Sequence, residues 1–227
     1  MSVAVFGYLL VFGVAAWQGT NRIQKPVTPN KDVCSEQTTV CVVSSIPKED
    51  KLKDSKNYKE ESVASRKGIK KTYTYNVVSK GNINASLADF KVKANQTLNS
   101  ALGWGEIASF QEVAGAGNFT LVLSEAKYLP SYSTGCSASW SCRADRYVII
   151  NQDRWLGATS AWNSAGGGLR DYQHMVVNHE VGHWLGFGHS SCGGSGQRAP
   201  VMQQQSINLQ GCKFNPWPHA SEVSQLK

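Results

Sequence analysis

Val176-Val177-Asn178-His179-Glu180-Val181-Gly182-His183-Trp184-Leu185-Gly186-Phe187-Gly188-His189 is the most informative stretch of the chain, because it contains H-E-x-x-H-x-x-G-x-x-H. On a helix, residues four apart lie on one face, so His179 and His183 can aim two imidazoles at one ion. A zinc ion would sit about 2.0–2.1 Å from each nitrogen. Glu180 adjoins the first ligand and is placed to take a proton from a water at the metal. Gly186 provides the exit, since glycine adopts the left-handed conformation that ends a helix, and the chain can then bring His189 in from another direction. Three neutral nitrogen ligands leave a fourth position for water, which distinguishes a catalytic zinc from a closed structural one. In a chain of this composition the five fixed positions are matched by chance at a frequency on the order of 10⁻⁵.

This segment resembles the long signature of the metzincin metallopeptidases. The resemblance implies a zincin fold of α+β class, with a twisted mixed sheet, a backing helix, an active-site helix and an irregular C-terminal subdomain. It also implies a Met-turn, a tight turn carrying a methionine beneath the metal. Of the three methionines, Met1, Met175 and Met202, only Met202 follows the ligands, in Ala199-Pro200-Val201-Met202. Residues 71–227 look more closely like a secreted metzincin-like family of actinobacteria with no known substrate. Val176–His189, Pro200–Gln205 and Asn215–Pro218 carry that likeness. It implies the fold and the site and leaves specificity open, while the metzincin resemblance implies an endopeptidase in which Glu180 serves as general base and an extended peptide or protein substrate pairs with an edge strand. Tyr147, Val148 and Ile149, within Arg146–Asn151, are assigned to that edge, with an interior position as the alternative. Some metzincins add a tyrosine ligand after the methionine. Here Gln203-Gln204-Gln205-Ser206 stands there, so three protein ligands are expected.

Around the signature the texture is that of a layered domain. Thr72–Val78 is rich in β-branched and aromatic residues and reads as a strand. Ser86 and Asp89 resemble a capping box, and Leu87, Phe90, Ala94, Leu98 and Ala101 recur at helical spacing as far as Gly103. Phe119–Leu123 and Arg146–Asn151 read as strands, and Gly166-Gly167-Gly168 precedes a helix beginning near Asp171. Tyr172 and His174 could line the cleft, although packing suits them better. Trp184 and Phe187 are expected to pack the signature helix against the lower subdomain.

Hydrophobic residues make up 41% of the 227, enough for a core, and exclude wholesale disorder. The net charge of +7 is largely spread through a Lys-rich stretch interleaved with acids. Neither a basic helix nor an aromatic-studded sheet motif suggests nucleic acid. The first seventeen residues carry no charged side chain, so residues 1–24 read as a signal peptide or N-terminal membrane anchor. Residues 25–70 read as a Lys-rich flexible spacer and 71–227 as the zinc domain. Six cysteines without a C-x-x-C pair argue for disulfides in an oxidising compartment. Proximity in sequence favours Cys34–Cys41, Cys136–Cys142 and Cys192–Cys212. The chain is thus expected to be a monomer, secreted or anchored outside the cytoplasm. A surface binding module with a vestigial zinc site, or a zinc hydrolase acting on a non-peptide cell-envelope amide, are the alternatives.

Overall fold

The architecture is built around strands and a helix that are buried on all sides. The computed structural model describes residues 70–226. Strand β1 (Lys71–Lys80) leads into helix α1 (Leu87–Leu98), β2 (Ala108–Glu112), β3 (Phe119–Ser124), β4 (Cys142–Ala144) and β5 (Tyr147–Asn151). Short helices α2 (Gln152–Gly157) and α3 (Ser160–Ser164) precede the long α4 (Leu169–Trp184), and α5 (Ala220–Val223) closes the fold. The five strands form one sheet in the order β2-β1-β3-β5-β4. All pairings are parallel except β4 with β5, which is antiparallel.

All six residues of β3 are buried, as expected of a central strand covered on both faces. Phe119, Leu121 and Leu123 join Val148 and Ile150 of β5 in the main core with Phe90, Ala94 and Leu98 of α1 and Val177 and Val181 of α4. On the opposite face, Val122 and Ile149 meet Leu129, Cys136 and Ala144 in a smaller cluster. Helix α4 is buried without interruption from Tyr172 to Gly182. It therefore lacks the polar stripe of a surface helix, and its apolar periodicity is weak.

Several expectations are met with shifted boundaries. Ser86 caps α1, its hydroxyl accepting from the Asp89 N–H at 3.2 Å. The helix stops at Leu98 rather than Gly103, because Asn99 is tied to β2. Its Nδ2 donates to Phe110 O at 2.9 Å and its Oδ1 accepts from Phe110 N–H at 2.9 Å. Helix α4 begins two residues before Asp171, capped at Gly168.

One assignment is corrected. Tyr147, Val148 and Ile149 do not form an edge, since β5 lies between β3 and β4. Val148, Ile149 and Ile150 are all fully buried, because each face of β5 meets a different core cluster. Among the described residues the outer strands are β2 and β4.

Disulfides join Cys136 to Cys142 and Cys192 to Cys212, as sequence proximity suggested. Both are consistent with an oxidising, extracellular setting. The Cys34–Cys41 pairing, the export segment 1–24 and the spacer up to residue 69 lie outside the described residues. Among the described residues no helix is long and apolar enough to cross a membrane.

Candidate metal centre

The end of α4 places the three histidines. Gly186 has φ +104°, in the left-handed region that glycine occupies without a side-chain clash. Its N–H donates to His183 O at 3.2 Å, and the Phe187 N–H donates to Gly182 O at 3.0 Å. That pair of bonds is the Schellman stop, which satisfies two carbonyls at the helix end and reverses the chain. The apolar residue after the turn is anchored: Phe187 stacks on the fully buried Trp104 at 5.0 Å between ring centroids. Trp184 packs edge-on against Tyr73, so both aromatics of the signature serve the core rather than the cleft.

With the chain turned, His189 returns beside the helix. His183 Nε2 lies 3.1 Å from His179 Nε2 and 3.1 Å from His189 Nε2. One ligand atom from each of the three lies within 4.8 Å of the others, the arrangement of a site able to hold a metal ion. Hydrogen bonds fix which nitrogens face inward. His179 Nδ1 is 2.8 Å from Val201 O, and His183 Nδ1 is 2.8 Å from Phe187 O. A carbonyl only accepts, so each Nδ1 carries the hydrogen and each Nε2 presents a bare lone pair. Lone pairs facing each other at this distance need a cation or proton between them. Tetrahedral zinc with bonds of 2.0–2.1 Å sets its nitrogens about 3.3 Å apart, a few tenths of an ångström more than is found here. The donor set and its outer hydrogen bonds therefore fit such an ion.

Electrostatics keep the His179 and His183 rings neutral. Burial, reinforced by His183 and His189, lowers the His179 imidazole to about 3. Burial also lowers His183, with His189 and the Arg143 guanidinium adding to the effect. A neutral imidazole is the form that binds metal. Glu180 is 5% exposed, and burial pushes its carboxyl up to about 8.

The histidines and Glu180 open into a cleft of about 340 Å³. One wall is the Gly135–Arg143 segment ending in β4, and the other is Gln204–Ile207. Tyr172 and His174 stay out of it. The Tyr172 hydroxyl lies 2.9 Å from Ser206 Oγ, and its ring packs on Trp162. His174 lies 2.8 Å from Thr97 Oγ1 and tilts against Trp217.

Met202 is fully buried. Its carbonyl accepts from the Ser190 N–H at 3.0 Å, which fixes the chain just after His189. Three further residues escaped the sequence reading. A Cβ on Gly182 would overlap Met202 Sδ and lie 3.1 Å from Trp104 Cζ2, so this glycine lets the methionine sit against the helix between the two ligands. Replacing Gly182 by Ala is expected to lower stability by about 1–3 kcal/mol through overpacking, measured by urea unfolding. In a double-mutant cycle with Met202→Ala the two changes should couple favourably, because shortening the methionine makes room for the new methyl group.

Glu222, on α5, is 5% exposed. Its two oxygens accept from Val201 N–H and Met202 N–H, each at 3.0 Å, and Oε2 also accepts from His219 N–H at 2.8 Å. It thereby holds the peptide whose carbonyl receives the His179 ring. The last of the three, Arg143, sits on β4 opposite Val148. The runs Pro200–Gln205 and Asn215–Pro218 prove to be one network. Gln205 Nε2 donates to Pro200 O at 3.1 Å and to Asn215 O at 2.8 Å, while Asn215 Nδ2 donates to Ala199 O at 2.8 Å and Trp217 O at 2.6 Å.

No curated relative matches the chain. Among solved structures, the crystal structure of archaemetzincin from Methanopyrus kandleri aligns with it at 15% identity and a TM-score of 0.42, covering 72% of this chain and 97% of that one. The chain matches the family described as protein of unknown function, DUF3152, over residues 52–220, and it belongs to that family.

Proposed function

We propose that this protein is an extracytoplasmic zinc endopeptidase, with His179, His183 and His189 as metal ligands, Glu180 as general base and Met202 as the Met-turn residue. The observation that carries the reading is the convergence of three Nε2 atoms at the floor of an open cleft, with two Nδ1 atoms committed to carbonyls. A zinc ion bound there supplies a Lewis acid that acidifies water and polarises an amide carbonyl.

The chain's own residues supply the rest. Glu180 adjoins the ligands in the cleft wall, where its carboxylate can take a proton from a water and deliver it to the departing amine nitrogen. Burial alone disfavours that carboxylate, and a neighbouring cation favours it. The outer strand β4 replaces β5 as the strand on which an extended peptide would dock, since its segment lines the cleft. A vestigial binding site has no need of a carboxylate buried beside its metal, which favours the hydrolase.

The test is metal analysis with a cleavage screen of the full chain kept oxidised. About one zinc per chain is expected. Cleavage of a peptide library should fall to background with 1,10-phenanthroline and return on adding zinc. Bound zinc with no cleavage of peptides or cell-envelope amides would return the protein to the class of binding modules. Absence of zinc would remove the proposal altogether.

A further inference from the structure

Resting on the peptidase reading of the cleft, we propose that Arg143 is a specificity-determining residue that selects a carboxylate on the substrate, making acidic peptides the preferred class. Among the described residues the cleft lining contains one acid, Glu180, and one permanently charged cation, Arg143. No carboxylate among the described residues forms an ion pair with Arg143. Strand register sets its direction. Arg143 lies opposite Val148, whose side chain belongs to the core on the α4 side. Its neighbours Cys142 and Ala144 pair with Ile149 and Tyr147, and both pack in the cluster on the other face. Side chains alternate along a strand, so the guanidinium projects on the helix side, where the imidazoles lie.

On β4 this placement has a consequence for a bound peptide. A strand added at the free side of β4 would put one residue opposite Arg143, with its side chain on the same face. An Asp or Glu there meets a planar donor fork suited to bidentate carboxylate binding. A Lys or Arg there meets the like charge of Arg143. The terminal carboxylate of a short substrate offers the same chemistry and is the second source of the anion.

Binding can be read apart from cleavage in the zinc-loaded Glu180→Ala chain, which holds a peptide without turning it over. The probes are fluorescein-labelled nonapeptides in which Asp or Glu is scanned against Asn or Gln, each as the free acid and the amide. Acidic peptides are expected to bind about five- to tenfold tighter than their amide isosteres, with the ratio falling as salt rises. Adding Arg143→Gln should bring the ratio to about one, Arg143→Lys should keep part of it, and Arg143→Glu should reverse it toward Lys-bearing probes. Zinc content and circular dichroism confirm that each variant is folded. A preference seen only with the free-acid probes, and lost in Arg143→Gln, identifies the chain terminus as the anion. Equal binding of acidic and neutral probes, or a preference that survives Arg143→Gln, overturns the proposal. Failure of the wild type to cleave any peptide would instead count against the peptidase reading, while the binding ratio would still decide the role of Arg143.

Discussion

Replacing Glu180 by Gln is expected to lower kcat/KM on any cleaved peptide by about 10²–10⁴-fold while leaving one metal ion bound. The two side chains have nearly the same shape, so the packing around a residue that is 5% exposed is preserved. The three imidazoles and the carbonyls that orient them are untouched. What disappears is the group able to accept a proton at that point, and no other acid among the described residues lines the cleft. Loss confined to kcat would place Glu180 in the proton transfer, whereas a rise in KM alone would make it a binding group. Competition with a chromophoric chelator supplies the control, since a variant that had lost zinc would say nothing about the base. Near wild-type turnover in a zinc-replete Glu180→Gln protein would sink the assignment.

The features legible in the sequence are those that depend on local spacing. The i, i+4 histidines, the adjoining acid and the left-handed glycine are set by the geometry of one helix and its stop, and the structure places all of them as that geometry requires. Helix α4 itself is legible through its motif rather than its periodicity, because eleven consecutive buried residues erase the polar face. The edge assignment of β5 fails for a related reason. Val148-Ile149-Ile150 is a continuous apolar run rather than an alternating one, the pattern of a strand covered on both faces. Strand β4 is only three residues long, so its identity comes from pairing with β5 and from the Cys136–Cys142 bridge rather than from its own composition. Gly182 occupies a free position of the motif, and its need to be small is created by Met202, twenty residues downstream. Glu222 is a single acid in a polar tail, and nothing local marks it as the partner of two amides.

Glu222→Ala is the change expected to damage the scaffold of the site most. Each carboxylate oxygen holds one of two successive amides, and Oε2 receives a third from His219. Truncation leaves the buried N–H groups of Val201 and Met202 and the half-buried one of His219 without acceptors, and a charged acceptor contributes more than a neutral one. The expected loss is about 3–5 kcal/mol, measured by urea unfolding with the metal chelated so that binding does not contribute. The same substitution frees Val201 O, the acceptor that fixes His179 Nδ1–H. Metal affinity should therefore fall by about 10–100-fold, the range found when an outer hydrogen-bond partner of a ligand is removed. Glu222→Gln separates the two effects, because its remaining oxygen can still serve one or two of the amides while the negative charge is gone. Stability should then drop by less, and affinity should follow whichever amide stays bound. If Glu222→Ala lowers stability as expected yet binds zinc like the wild type, the orientation of His179 does not depend on this carboxylate. Glu222 would then support the C-terminal fold alone, and the ring must be held by the packing of Val177, Val181 and Met202 around α4.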